Sequence, residues 1–281
     1  METVTSRDGT TLAFDRAGGG SPLILVAGAL NDRATLAPLA ALLAPHYTTI
    51  TYDRRGRGDS GDTAPYAVER EVEDIDALIA AVGGAAAVLG FSSGGVLATL
   101  AAARGSAITH LVLYEPSYPV DGDGFRWSAA DRPERIAALI AEGRRGDAVA
   151  HFQESVGLPA AAIAGMRQAP FWPALERLAP TLVYDTTLSR QGILPAATLA
   201  TITTPTLVLH GETTFPILRE SARVIAKGLP NAQLRALPRV GGHHLDPELT
   251  APVVRDFLGS SQATATTRVS ARDSQPSQNA E

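Results

Sequence analysis

The 281-residue chain contains no cysteine. That excludes a disulfide scaffold, a thiolate zinc site and a cysteine nucleophile together. Charge is scarce, at 19% of residues against about 25% in an average soluble domain. The net charge of −5 leaves no global basic field for nucleic acid or an acidic membrane surface. No apolar run reaches the ~18 residues that a bilayer-spanning helix needs. The first residues, Met1-Glu2-Thr3-Val4-Thr5, have neither the basic nor the apolar region of a secretory signal. Histidines and carboxylates form no spaced metal set, and the neighbours His243 and His244 do not make one alone. Gly18-Gly19-Gly20 precedes no helix and no Lys-Ser/Thr pair, so it reads as a turn and not a phosphate cradle. These absences lead us to expect a cytoplasmic globular protein, monomeric or homodimeric, with no cofactor, metal, nucleic-acid or membrane partner.

A chain of this length can bury roughly three quarters of its unfolded surface, enough to hold a core unaided. Strands are predicted near Thr10–Phe14, Pro22–Ala27, Tyr47–Tyr52, Ala85–Phe91 and Ile108–Tyr114. Between them Val68, Val72, Ile75, Leu78, Ile79 and Val82 recur at steps of three and four, one face of a helix closed by Gly83. Gly95–Ala103 reads as a second helix. Continuous apolar strands alternating with helices predict a mostly parallel, doubly wound α/β sheet covered on both faces. The rhythm stops after Glu115 and resumes at Pro205. It continues with strand Thr206–His210, helix Phe215–Lys227, strand Gln233–Leu237 and a last helix near Pro247–Leu258 with Asp246 as N-cap. We therefore expect a core of residues 1–116 and 202–258, a helical insertion at 117–201, and a disordered tail at 259–281.

Gly90-Phe91-Ser92-Ser93-Gly94 falls where a buried strand passes into a helix. A Gly-x-Ser-x-Gly turn at that junction pushes a serine hydroxyl out above the sheet and leaves free N–H groups at a helix start. Only Ser92 has glycines at both −2 and +2, which selects it over Ser93. A serine nucleophile needs a base. Of the six histidines, His46, His110 and His210 flank strands, and His151 lies in the insertion. His243 follows the last strand, and Gly241-Gly242 leaves its backbone free to turn toward the sheet. His244 stands beside it, and spacing alone does not separate the two.

The chain resembles the α/β-hydrolase superfamily over about residues 1–258. The resemblance rests on Leu25-Val26-Ala27-Gly28-Ala29, Tyr52-Asp53-Arg54-Arg55-Gly56-Arg57-Gly58-Asp59-Ser60, Gly90–Gly95, Thr206–Gly211 and Gly242-His243. It implies Ser92 as nucleophile, His243 as base, the N–H groups of Ala29 and Ser93 as oxyanion hole, and a helical cap after Glu115. Two positions depart from the family pattern. Ala27-Gly28 stands where relatives have His-Gly, and Thr214 stands where most relatives carry the triad Asp. Glu115 occupies the family's alternative acid position, an arrangement resembling zearalenone-type lactonases and some dehalogenases. Glu212 and Asp246 remain alternatives for the acid. Leu30, Trp127, Phe152 and Trp172 are candidate substrate contacts, with Phe125 and Phe171 nearby. The resemblance implies an ester or lactone hydrolase for a largely apolar substrate. Acyl transfer, thioester cleavage, cyclisation and a non-catalytic ligand receptor are the other classes. Arg54, Arg55 and Arg57 form a short basic cluster whose field Asp53, Asp59 and Asp62 are expected to cancel.

Overall fold

The computed structural model describes residues 1–118, 132–192 and 194–272. Eight strands form one sheet: β1 (Glu2–Thr5), β2 (Thr11–Ala17), β3 (Pro22–Val26), β4 (Thr48–Tyr52), β5 (Ala86–Phe91), β6 (Ile108–Tyr114), β7 (Thr206–Thr213) and β8 (Ala232–Gly241). Their order is β1-β2-β4-β3-β5-β6-β7-β8. β2 pairs antiparallel with β1 and with β4, and all other neighbours run parallel. This is the mostly parallel sheet that the apolar strands predict. β1 gives little signal in the sequence because it is a short edge strand with mostly exposed side chains.

Helices cover both faces, and the period-2 alternation of each strand divides their packing. α1 (Ala37–Leu43), α2 (Val68–Ala81) and α3 (Ser93–Ala103) connect the first strands. Between β6 and β7 stand α4 (Arg132–Ala141), α5 (Arg145–Ser155), α6 (Ala160–Met166), α7 (Trp172–Leu178), α8 (Leu182–Gln191) and α9 (Ala196–Leu199). α10 (Pro216–Gly228) follows β7, and α11 (Pro247–Arg272) follows β8. Ile24, Val26, Val88, Leu113 and Val208 face α2, α3 and α10. Leu23, Leu25, Leu89, Val112 and Leu209 face α1 and α11. Parallel strands buried on both sides need apolar residues at every position, which is why these strands read as continuous runs. A third cluster, including Ile136, Leu139, Val149, Trp172 and Leu182, gives the inserted helices a core of their own, which Leu30 joins.

α2 buries Val68, Val72, Ile75, Leu78 and Ile79 and stops at Ala81. Gly83 then takes a left-handed backbone at φ 115°, the conformation that terminates helices at little cost for glycine. At the other end of the chain Asp246 accepts the Leu249 N–H at 3.1 Å and caps α11. The tail expectation needs correction. α11 continues through Gly259 as far as Arg272. The rest of that tail, 273–281, lies outside the described residues. The buried anchors of α11 are Ala251, Val254, Phe257 and Leu258. Deletion of residues 261–281 is therefore expected to leave the thermal unfolding midpoint unchanged.

Candidate active site

β5 ends in Phe91 and α3 begins at Ser93, so the chain must reverse at Ser92. It does so with φ 55° and ψ −122°, a strained region that costs a non-glycine residue of order 1–3 kcal/mol. Hydrogen bonds hold the turn: the Ser92 N–H donates to Tyr114 O at 3.0 Å, and the Gly95 N–H donates to Ser92 O at 2.9 Å. The flanking glycines are required by close approach. A Cβ on Gly90 would lie 2.4 Å from Gly94 O, and one on Gly94 would lie 2.3 Å from Val26 O. Because these neighbours are backbone atoms, Gly94→Ala is expected to destabilise the fold by about 3 kcal/mol or more. A denaturant midpoint equal to wild type would contradict that steric reading.

The turn places the Ser92 hydroxyl beside His243, which follows β8. His243 Nε2 lies 2.9 Å from Ser92 Oγ, and His243 Nδ1 lies 2.6 Å from Glu115 Oε2. Glu115 is fully buried at the end of β6, also in a left-handed backbone, at φ 43°. Its second oxygen accepts the Gly211 N–H at 2.9 Å, so both carboxylate oxygens are engaged. The order Glu115, His243, Ser92 is the geometry in which a carboxylate orients an imidazole and the imidazole receives a hydroxyl proton.

Above this row is a cavity of about 430 Å³ between the sheet edge and the inserted helices. The sheet side contributes Ala29, Leu30, Ser92, Ser93 and His243 to its wall, and the insertion contributes Phe152, Val156, Met166 and Phe171 among others. The Ser93 N–H opens α3 and has no intrahelical acceptor.

A model of the alpha/beta hydrolase family matches residues 23–253. The chain belongs to the α/β hydrolase family. An α/β hydrolase from Sphaerobacter thermophilus is 49% identical, with 92% of this chain and 100% of that one aligned at a TM-score of 0.85. A hydrolase from Pseudomonas aeruginosa is 26% identical over 92% of this chain and 98% of that one, at a TM-score of 0.75. An esterase from Rhodococcus, 23% identical over 92% and 98% of the two chains at a TM-score of 0.65, shares the fold.

Within this α/β hydrolase the imidazole that meets Ser92 and Glu115 is that of His243, while His244 is exposed and the rival acids are otherwise engaged. His244 points its carbonyl at the Tyr114 hydroxyl, which donates to it at 2.8 Å. Glu212 accepts the Arg239 N–H at 3.1 Å, and Asp246 caps α11. Leu30 and Phe152 line the cavity. Trp172 does not: its ring packs in the core of the inserted helices and its indole N–H donates to Glu176 at 3.0 Å. Arg167 stacks over the same ring. The large indole is better satisfied between helices, where its polar edge finds a partner, than in an apolar cavity. Trp127 and Phe125 lie outside the described residues.

The arginine expectation is also corrected. Arg54, Arg55 and Arg57 are all buried, and their main partners are not the interleaved aspartates. Arg54 pairs with Glu71 at 2.6 Å and Asp185 at 2.8 Å, Arg57 pairs with Asp185 at 2.7 Å, and Arg55 pairs with Asp74 at 2.7 Å. Burial drives the Asp185 carboxyl up, but Arg57 and Arg54 outweigh it and hold it below the ordinary carboxylate range. Glu71 is likewise lowered by Arg54 against the effect of burial. Their stabilising contribution is thus complete above the ordinary carboxylate range and is lost as pH falls through the depressed values. Glu71→Gln should leave Arg54 short of an anion and bring acid unfolding to a higher pH, read from thermal midpoints across a pH series. Glu71 and Asp74 lie on the same stripe of α2 as Val68, Val72, Ile75 and Leu78. Acids on an otherwise apolar face are the sequence signal of this network.

Proposed function

We propose that the protein is a cofactor-independent serine hydrolase that cleaves a largely apolar carboxylic ester or lactone through an acyl-enzyme. The observation that supports it most directly is the Glu115–His243–Ser92 row, at 2.6 and 2.9 Å, opening into a cavity walled mainly by apolar side chains. His243 Nε2 takes the Ser92 proton as Oγ attacks the carbonyl carbon. The carbonyl oxygen becomes an oxyanion, received by the Ala29 and Ser93 N–H groups. Collapse breaks the bond to the leaving oxygen, which takes the proton from His243. Water, deprotonated by His243, then attacks the acyl-enzyme, and Ser92 Oγ regains its proton. Glu115 holds Nδ1–H toward itself and stabilises the imidazolium. In a lactone the leaving oxygen stays tethered to the acyl group, and the position of Glu115 after β6 resembles zearalenone-type lactonases. The inserted helices act as the cap that selects the substrate.

A fluorophosphonate probe tests the reaction class. It is expected to label the wild-type protein on Ser92, and p-nitrophenyl esters and aryl lactones are expected to turn over. Folded protein that neither reacts with the probe nor hydrolyses any of these substrates would refute the proposal in favour of a non-catalytic ligand receptor. Product analysis with added alcohol separates hydrolysis from acyl transfer.

A further inference from the structure

The loop after β3 carries three backbone carbonyls that end on two buried guanidinium groups. Arg54 Nη1 donates to Ala27 O at 3.3 Å, and Arg57 Nη1 donates to Gly28 O at 2.5 Å and to Asn31 O at 3.0 Å. Gly28 C=O and Ala29 N–H belong to one trans peptide plane, in which they point in opposite directions. Fixing the carbonyl on Arg57 therefore aims the Ala29 N–H away from Arg57, and Ala29 lies on the cavity wall. Leu30, next in the chain, is held in a left-handed backbone at φ 56°, so this loop needs external restraint to keep its shape.

The restraint converges on one carboxylate. Asp185 Oδ2 accepts from Arg57 Nη2 at 2.7 Å, and Asp185 Oδ1 accepts from Arg54 Nη1 and from the Ser93 hydroxyl, each at 2.8 Å. Ser93 carries the other amide assigned to the oxyanion hole. Asp185, Arg54, Arg57 and Ser93 are each at most 3% exposed, so water is not available to replace these contacts. Two cations and two anions, Arg54 and Arg57 with Glu71 and Asp185, leave the cluster balanced. Asp185 belongs to α8, in the inserted helices, whereas both donors belong to the sheet core.

We propose that Asp185 is a positioning residue that fixes both oxyanion donors: Ser93 through its hydroxyl, and Ala29 through Arg57 and the Gly28 carbonyl. The inserted helices thereby complete the oxyanion hole as well as roof the cavity. This rests on the serine-hydrolase reading above.

The experiment uses the full chain and three readouts on Arg57→Lys and Asp185→Asn. Turnover of a p-nitrophenyl ester is expressed per site labelled by the fluorophosphonate, so unfolded molecules do not count. Phenylboronic acid reports affinity for a tetrahedral Ser92 adduct. A non-hydrolysable ether analogue of the ester, which has no carbonyl, reports occupancy of the cavity alone. Arg57→Lys keeps the charge balance but loses the fork that spans Asp185 and Gly28 O. It is expected to lower kcat on the order of 10², the size of one lost oxyanion donor, with KM unchanged. Phenylboronic acid should weaken by the same factor and the ether analogue should bind as before. Asp185→Asn should lose at least as much, because it loosens both donors. If it does not fold, Arg57→Lys alone decides. Wild-type kcat per labelled site and unaltered phenylboronic acid affinity in Arg57→Lys would overturn the proposal while leaving the serine-hydrolase reading standing. A wild-type protein that fails to label or turn over would remove both.

Discussion

Ser92→Ala is expected to lower kcat by about 10⁶, the loss seen when a serine nucleophile is removed from a triad, while Ser93→Ala loses far less. The two serines are adjacent, yet the fold gives them different tasks. Ser92 sits at the reversal between β5 and α3 with its Oγ 2.9 Å from His243 Nε2. Ser93 turns the other way and donates to Asp185 at 2.8 Å. Alanine at 93 keeps the backbone N–H and removes the hydroxyl that donates to Asp185 and accepts from Arg54 at 3.3 Å, partners that still hold each other, so its cost is on the order of tenfold. Both variants should remain folded, since each loses one hydroxyl and no apolar volume. The measurement is kcat on one activated ester, with circular dichroism as the check of folding. Comparable losses in the two folded variants would mean that the glycine frame had selected the wrong hydroxyl.

The sequence made the strand-to-helix turn legible because its requirements are local. Gly90 is forced by the backbone of Gly94 within the same turn, Gly94 by the backbone of Val26 in the neighbouring strand, and the buried strand before them has its own apolar signature. His243 was also within reach, since Gly241 and Gly242 free the chain after β8. His243 and His244 are not separated by spacing, because one step along a loop reverses the direction of a side chain. The arginine network was not legible as a network. Arg54 and Arg57 stand just beyond β4, but Asp185 lies more than a hundred residues later, in helices with no strand period to fix their register. Only the acids on the apolar stripe of α2 hinted that buried cations needed partners. Trp172 shows the complementary limit: an aromatic residue in an insertion looks the same in sequence whether it lines a cavity or fills a helical core. Helix α11 runs past its expected end through a Ser- and Thr-rich stretch with no apolar period, so nothing in the sequence marks the extension as structure.

Glu115→Gln is expected to fold and to lose turnover by about 10⁴, the cost of replacing the triad acid by its amide in the protease template. The reason lies in the direction of two hydrogen bonds. Glu115 Oε1 accepts the Gly211 N–H at 2.9 Å, and Oε2 lies 2.6 Å from His243 Nδ1. A glutamine satisfies Gly211 with its carbonyl oxygen, which turns its NH₂ toward His243. Nδ1 must then accept, the proton moves to Nε2, and the imidazole can no longer take a proton from Ser92. Glu212→Gln and Asp246→Asn should cost little, because one carboxylate meets the Arg239 amide and the other caps a helix. Thr214→Asp gives the informative companion. Thr214 is buried with an unpaired hydroxyl, and its N–H donates to the carbonyl of Gly211 at 3.3 Å. Thr214 and Glu115 thus hang on the same residue at the carboxyl edge of the sheet. A carboxylate introduced at 214 in the Glu115→Gln background is expected to recover part of the lost turnover by offering Nδ1–H an acceptor from the neighbouring strand end. If Glu115→Gln keeps near-wild-type kcat while Asp246→Asn or Glu212→Gln collapses, the acid is elsewhere and Glu115 is a structural carboxylate at the end of β6. If Glu115→Gln collapses and Thr214→Asp restores nothing, the acid stands but its position is unique, because the left-handed backbone at 115 supplies an approach to His243 that the end of β7 does not.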